Sequence, residues 1–387
     1  MTPAARVQTA IELLDEILAG APAEKSLTAW ARRSRFAGSK DRAAVRDHVF
    51  DVLRRRRSAL PDGMDETGRA LMLGLLSQAG ADIETLFADL PYGPAGLSEA
   101  EQAALAKPGA SAVDLPDWIL PLVRAALVDT FDENALALRN RAPVFLRTNL
   151  RKGSREDAIA MLANDGIACR PSSLADTALL VTEGARRVAQ STAYREGLVE
   201  VQDASSQAAI AGLPLHDGMR VLDYCAGGGG KTLGIAGRIK GTFVAHDANP
   251  SRLRDLPTRA KRAGVRVATC NANQLKGEAG FDLVFCDVPC SGSGTWRRTP
   301  DAKWRFTPEK LQSLSRIQTE ILEEVLPFLN ENGTLIYATC SLLREENEEQ
   351  IERFLKGHPE FHAVHSQHWS MAEGCDGFFI THLTRMH

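Results

Sequence analysis

The sequence predicts an α/β chain whose C-terminal half, residues 201–387, is Rossmann-like, preceded by a small α+β module over 136–200 and an all-helical domain over 1–135. Three observations carry this. From Gly218 onward, apolar runs of strand length (RVLDYC, GTFVAHD, RVATCN, FDLVFCD, GTLIYATC) alternate with helical segments, the pattern of a parallel, doubly wound sheet with ligands at the carboxyl ends of its strands. Up to about Glu133, apolar residues recur at helical spacing (Ile11, Leu14, Ile17, Leu18; Val45, Val49, Phe50, Leu53), broken at Pro61, Pro91, Pro108 and Pro116. Between them VFLRTNL, ALLVTE and GLVEVQD read as strands, and SREDAIAMLANDG reads as a helix closed by Gly166.

With 387 residues the chain is long enough for two or three domains, each with its own core. Its apolar fraction of 44% and charged fraction of 25% are those of a soluble globular protein. No apolar run has the roughly 18 residues needed to span a bilayer, and the N-terminus reads as an acidic amphipathic helix rather than a signal peptide, so a cytoplasmic protein without membrane partners is expected. The seven cysteines are scattered without a CxxC, which predicts free thiols and no metal. Net charge is near zero, with 46 Lys+Arg against 49 Asp+Glu. Between Lys25 and Arg57, however, eleven basic residues face three acids, a block that is either a phosphate-binding surface or a solvated helix face.

Four glycines stand between the first Rossmann strand and its helix in LDYCAGGGGKT. Glycine permits a sharp turn and close ligand approach, and the helix N-terminus behind offers N–H groups to an anion. A Walker A loop ending at Gly230, Lys231 and Thr232 would need glycine where Cys225 stands, and the dinucleotide fingerprint does not fit cleanly. Asp247, ending the second strand, is placed either to accept hydrogen bonds from a ribose diol or to cap a helix. NAD and S-adenosylmethionine both carry that diol.

The fourth strand delivers Asp287 and Cys290 to the carboxyl edge, and the next delivers Cys340. A single cysteine there is most simply a small buried residue, but two at matching ends of neighbouring strands bring two thiols to one pocket. Methylation of cytosine at C5 uses such a pair: C5 is a poor nucleophile until a thiolate adds to C6, and afterwards the C5 proton and the thiolate must both leave. From position alone the two cysteines are equivalent.

VQDASSQ, DYCAGGGGKT, DVPCSGSGTWRRTPDAKW, ATCSLLREENEEQI and DGFFITHLTR together resemble the RsmB/NSUN family of RNA 5-methylcytosine methyltransferases, nearest its bacterial RsmB branch. The resemblance implies a NusB-like, RNA-binding helical N-terminal domain, an RRM-like small module, and transfer of a methyl group from S-adenosylmethionine to C5 of a cytosine in ribosomal RNA, 16S by the branch. It also implies that Cys340 is the nucleophile, that Cys290 promotes product release, and that Asp287 lies between cofactor and base. Cys225, Ala226, Gly227, Gly228, Gly229, Gly230, Lys231 and Asp247 would then hold S-adenosylmethionine, with Asp287 beside it. Gly227 and Gly228 stand where the family often has Ala and Pro, and Asn271 stands where an Asp commonly meets the cofactor.

For RNA, TWRRTPDAKWRF interleaves Trp296 and Trp304 with cations; each tryptophan reads equally as a stacking platform or as packing under a long loop, and Arg297, Arg298 and Lys303 are expected phosphate contacts, with Arg147 and Asn149 in LRTN as further candidates. A monomer is expected. The same chemistry on transfer RNA, and a non-catalytic RNA-binding assembly factor, are the competing readings.

Overall fold

The computed structural model describes residues 1–107, 112–275 and 277–386, so Pro108 lies outside the described residues. The chain forms two compact units, Met1–Arg141 with Trp296–Phe306, and Ala142–Thr295 with Thr307–His387. The first unit is helical. Its opening helix, Pro3–Leu18, starts where the Thr2 hydroxyl accepts from the Ala5 N–H at 3.1 Å. It buries a stripe at helical spacing, Val7, Ala10, Ile11, Leu14 and Ile17, against Leu27 and Trp30 of Ala23–Arg33, Val45, Val49 and Leu53 of Ser39–Arg54, and Leu71 and Leu75 of Gly68–Gln78.

In this unit Trp296 is 1% exposed and lies 6.0 Å, ring to ring, from Phe306, which is itself 5.7 Å from Trp118. The short helix Pro300–Arg305 is tied to the helical core through backbone acceptors. Lys303 Nζ donates to Arg54 O at 3.0 Å, Trp304 Nε1 donates to Leu53 O at 2.7 Å, and Arg54 Nε donates to Arg297 O at 2.9 Å.

The second unit contains two sheets. Strands β1 (Val144–Thr148), β2 (Ala168–Pro171), β3 (Ala178–Glu183) and β4 (Val199–Val201) form an antiparallel sheet in the order β2-β3-β1-β4, with helix Arg155–Asn164 between β1 and β2. The larger sheet contains β5 (Arg220–Asp223), β6 (Thr242–His246), β7 (Ala268–Cys270), β8 (Phe281–Asp287), β9 (Leu329–Thr339), β10 (Phe361–Trp369) and β11 (Phe378–Arg385), in the order β10-β11-β9-β8-β5-β6-β7. Strands β5 to β9 are parallel, and β8 is apolar through its middle because both of its faces are covered. The chain runs outward from β5 through β6 to β7 and returns on the other side of β5 as β8, so the strand order reverses between β5 and β8.

One expectation needs correction: the sheet is not wholly parallel. Strand β11 pairs antiparallel with β9, and β10 closes the edge as a hairpin. The exposed face of HAVHSQHW lacks the apolar run that marks a buried parallel strand. No helix among the described residues is long and apolar enough to cross a membrane.

Candidate functional site

The carboxyl ends of β5, β6, β8 and β9 assemble the site. Register pairs Asp287 of β8 with Ala338 of β9, and the Val288 N–H donates to Ala338 O at 3.0 Å, so the turns after the two strands emerge side by side. Cys290 and Cys340 then meet at 3.4 Å, Sγ to Sγ. The approach is close because Gly294 N donates to Cys340 O at 3.0 Å and Gly377 N donates to Gly294 O at 2.9 Å. A Cβ on Gly294 would come within 2.3 Å of Gly377 O, so both turns depend on these glycines.

A buried polar group beneath the thiols was not singled out by the sequence pattern. Glu346, 0% exposed, accepts from Ser291 N at 2.8 Å, Ser291 Oγ at 2.5 Å, Ser341 Oγ at 2.5 Å and Gln318 Nε2 at 3.1 Å. The run REENEEQ carried a signal, since an acid at that point of an otherwise amphipathic helix start must be either solvated or satisfied; only the fold shows which.

The hydrogen bond to Cys340 first, and burial second, push the Cys290 thiol well above the ordinary cysteine range, and the charges of Glu346 and Asp287 act in the same direction. Cys290 is therefore held as a thiol beside Cys340. At the end of β8, Asp287 Oδ2 pairs with Lys231 Nζ at 2.5 Å. Burial pulls the lysine down, but the charge and hydrogen bond of Asp287 outweigh it, so the ammonium sits above its usual range.

The glycine loop turns through left-handed backbone at Gly227 (φ +52°) and Gly229 (φ +79°). A Cβ on Gly229 would lie 2.2 Å from Leu256 Cδ1, and one on Gly228 2.9 Å from an Arg259 guanidinium nitrogen. Asp247 holds this loop from below: Oδ2 accepts from Gly227 N at 2.9 Å and pairs with Arg252 at 3.4 Å, while Oδ1 accepts from Asn249 N at 2.9 Å. A carboxylate has about four acceptor positions, so Oδ1 retains capacity for a ligand hydroxyl. Asp223, ending β5, takes the Thr232 N–H at 3.0 Å and hydroxyl at 2.6 Å on Oδ2, whereas its buried Oδ1 has no partner. Burial raises its pKa to about 7. An orphaned buried acceptor beside a glycine cradle fits a ligand that brings an ammonium group, as S-adenosylmethionine does. Asn271 instead caps the helix Ala272–Leu275, accepting from Gln274 N at 3.0 Å.

The expected RNA contacts fare differently. Arg147, 7% exposed, donates to Gln202 Oε1 and Gly230 O, both at 2.6 Å; Asn149, 8% exposed, donates to Gly197 O at 3.1 Å and Ala263 O at 2.9 Å. Arg297 and Lys303 are buried in the helical unit. Arg147 and Asn149 thus spend these donors on protein acceptors, and the side chains of Arg297 and Lys303 are covered. Arg298 is exposed. In the basic block, Arg54 to Arg57 are partnered by Asp51, Arg139 O, Glu66 and Asp117 respectively. Among the described residues no group of three or more His, Cys, Asp or Glu is arranged to hold a metal ion.

Residues 210–384 match the family described as 16S rRNA methyltransferase RsmB/F, and residues 115–188 match the ferredoxin-like domain of RsmF/B-like methyltransferases. "Ribosomal RNA small subunit methyltransferase B" of Citrobacter koseri is 33% identical over 284 residues, which span 70% of this chain and 66% of that protein. The alignment thus spans just under two thirds of the relative. The crystal structure of PH0851 superposes with a TM-score of 0.75 at 22% identity, covering 100% of this chain and 99% of that one. NSun6 from Pyrococcus horikoshii with SFG gives 0.62 at 17% identity, over 70% of this chain and 98% of that one. Matches to both the catalytic domain and the ferredoxin-like module, the relative's identity and the site geometry agree, and the chain belongs to the S-adenosylmethionine-dependent RsmB/F methyltransferase family.

Proposed function

We propose that this protein transfers a methyl group from S-adenosylmethionine to C5 of a cytosine in small-subunit ribosomal RNA, through a covalent bond between Cys340 and C6. The observation that carries the reading is the 3.4 Å pairing of two thiols at the ends of adjacent strands. The same strand edge holds the Lys231–Asp287 pair and, across β5, the glycine loop. Cys225 to Lys231, Asp223 and Asp247 are the residues that would hold S-adenosylmethionine, which supplies an electrophilic methyl group when bound.

The division of labour is the one that the family resemblance implies, and the raised Cys290 thiol is consistent with it. Cys290, kept as a thiol, is a poor nucleophile, because the thiolate is the attacking form. Cys340 adds to C6, and the electrons of the C5–C6 double bond move toward C5, which becomes the methyl acceptor. Asp287, paired with Lys231 at the end of β8, would lie between cofactor and base. Once C5 carries the methyl group, the C5 proton passes to solvent water, its C–H electrons re-form the C5–C6 double bond, and the C6–Sγ bond breaks with its pair on sulfur, which returns Cys340 as thiolate. Cys290 stands within hydrogen-bond reach of that sulfur and assists its departure. Exposed Arg298 would contact an RNA phosphate.

Radiolabelled methyl transfer to RNA, with gel analysis of protein–RNA adducts, tests this. Cys340→Ala should abolish transfer and form no adduct, whereas Cys290→Ala should accumulate an adduct that survives denaturing electrophoresis. The opposite pattern would reverse the two roles, and normal activity in both variants would refute the thiol mechanism. Bisulfite sequencing of RNA from cells lacking the protein identifies the substrate; a lost mark in transfer RNA rather than ribosomal RNA would replace the substrate proposed here.

A further inference from the structure

Glu346 lies next to neither cysteine in sequence, yet its carboxylate touches the residue that follows each one. Oε1 takes the Ser291 N–H and the Gln318 amide, and Oε2 takes the hydroxyls of Ser291 and Ser341. Gln318 extends the tie to the turn before Cys290, donating also to Pro289 O at 2.9 Å. The Glu346 backbone is itself anchored, since Tyr337 Oη, near the end of β9, donates to Glu346 O at 2.6 Å.

A buried carboxylate with four donors aimed at it is costly to desolvate and persists only where all its bonds are made. The two turns it joins are separated by about fifty residues of chain, and their backbones meet directly through Gly294 N and Cys340 O. We infer that Glu346 is a positioning residue: its carboxylate clamps the Cys290 and Cys340 turns together and so sets the separation of the two thiols. This rests on the two-thiol reading for its purpose, though the clamp itself is independent of what the thiols do.

The test measures thiol proximity without RNA. Phenylarsine oxide condenses with two adjacent thiols, forming two As–S bonds and releasing water, and intact-mass spectrometry counts the bridge in the full-length protein. Cys290→Ala and Cys340→Ala identify the bridge, since each should lose it. Glu346→Ala should weaken bridging about tenfold or more, by freeing both turns, and lower kcat while leaving the KM for RNA unchanged. Glu346→Gln should stay within about twofold of the parent, because Oε1 keeps the two N–H donors and the serine hydroxyls rotate to accept from the new amide. Ser341→Ala, which removes a single arm, should fall between them and covers the case in which Glu346→Ala does not fold. Bridging at the parent level in Glu346→Ala or in Ser341→Ala overturns the clamp. If bridging tracks Glu346 but the parent methylates no RNA, the clamp stands and the proposed function fails; if methylation needs both thiols but bridging ignores Glu346, only the clamp fails.

Discussion

The stretch from Asp287 to Phe306 is continuous in sequence and splits in the structure. Its first part, up to Thr295, belongs to the unit with the seven-stranded sheet, where a strand end and two glycines bring Cys290 to Cys340. Its second part, Trp296–Phe306, belongs to the helical unit, where Trp296 is 1% exposed and Lys303 1% exposed. The first part has the character that its sequence suggests. The second has the composition of a nucleic-acid contact, cations between tryptophans, and is a packing element. Composition reports which groups are present; whether they face solvent is decided by partners such as Leu53 and Arg54, which lie some 250 residues earlier.

The strongest way to break this comparison is Trp296→Ala. If the segment is a packing element, removing a fully buried indole should destabilise the helical unit by about 3–5 kcal/mol. Differential scanning calorimetry should then show the helical unit melting earlier while arsenical bridging of Cys290 and Cys340 persists at room temperature. Parent-like melting together with weakened RNA binding would make the segment a stacking surface after all.

A second prediction uses the opposite titrations of the two units. Burial raises Asp223 to about 7 from 3.8 and lowers Lys303 to about 7 from 10.5. For Asp223 the folded state binds more protons than the unfolded state between these values, so its contribution is full below pH 4 and is lost as pH rises toward 7. For Lys303 the unfolded state binds more, so its contribution is full above pH 10.5 and is lost as pH falls to 7. Relative to the parent, Asp223→Asn should therefore gain stability between pH 4 and 7, and Lys303→Met should lose it between pH 7 and 10, each by on the order of a few kcal/mol. Chemical denaturation across pH 5 to 9 checks both. The same sign for the two variants would show that one of the groups is not buried as described.

How much was legible follows the same division. The five parallel strands, the loop glycines and the two cysteines could be placed because each depends on local pattern: an apolar run, a residue type that tolerates positive φ, a position at a strand end. Glu346, Gln318 and the antiparallel hairpin could not, because a buried carboxylate reads like a solvated one and an edge strand carries half the apolar signal of a central one. The protein partners of Arg147 and Asn149 are hidden for a related reason. Their acceptors, Gly230 O and Ala263 O, are backbone oxygens contributed by the seven-stranded half, and nothing in LRTN announces them. Asp223 shows a further limit: as the acid ending β5 it reads as ordinary strand sequence, and only the fold shows that its Oδ1 is buried with no partner.

The smallest effect separates the cations of the split segment from one another. Arg298 is exposed, whereas Lys303 is buried with its Nζ on Arg54 O. A single phosphate contact is worth about one unit in the slope of log affinity against log salt. Arg298→Ala should therefore weaken RNA binding several-fold at low salt, uniformly across sequences, and flatten the salt dependence by about one unit, as read by fluorescence anisotropy with a short ribosomal fragment. Lys303→Met should leave both unchanged at pH 7.5. Because the two residues are only five positions apart, a shared loss in both variants would mean that the helix Pro300–Arg305 opens to meet RNA, and an effect of Lys303→Met alone would place the RNA on the face that the helical unit now buries.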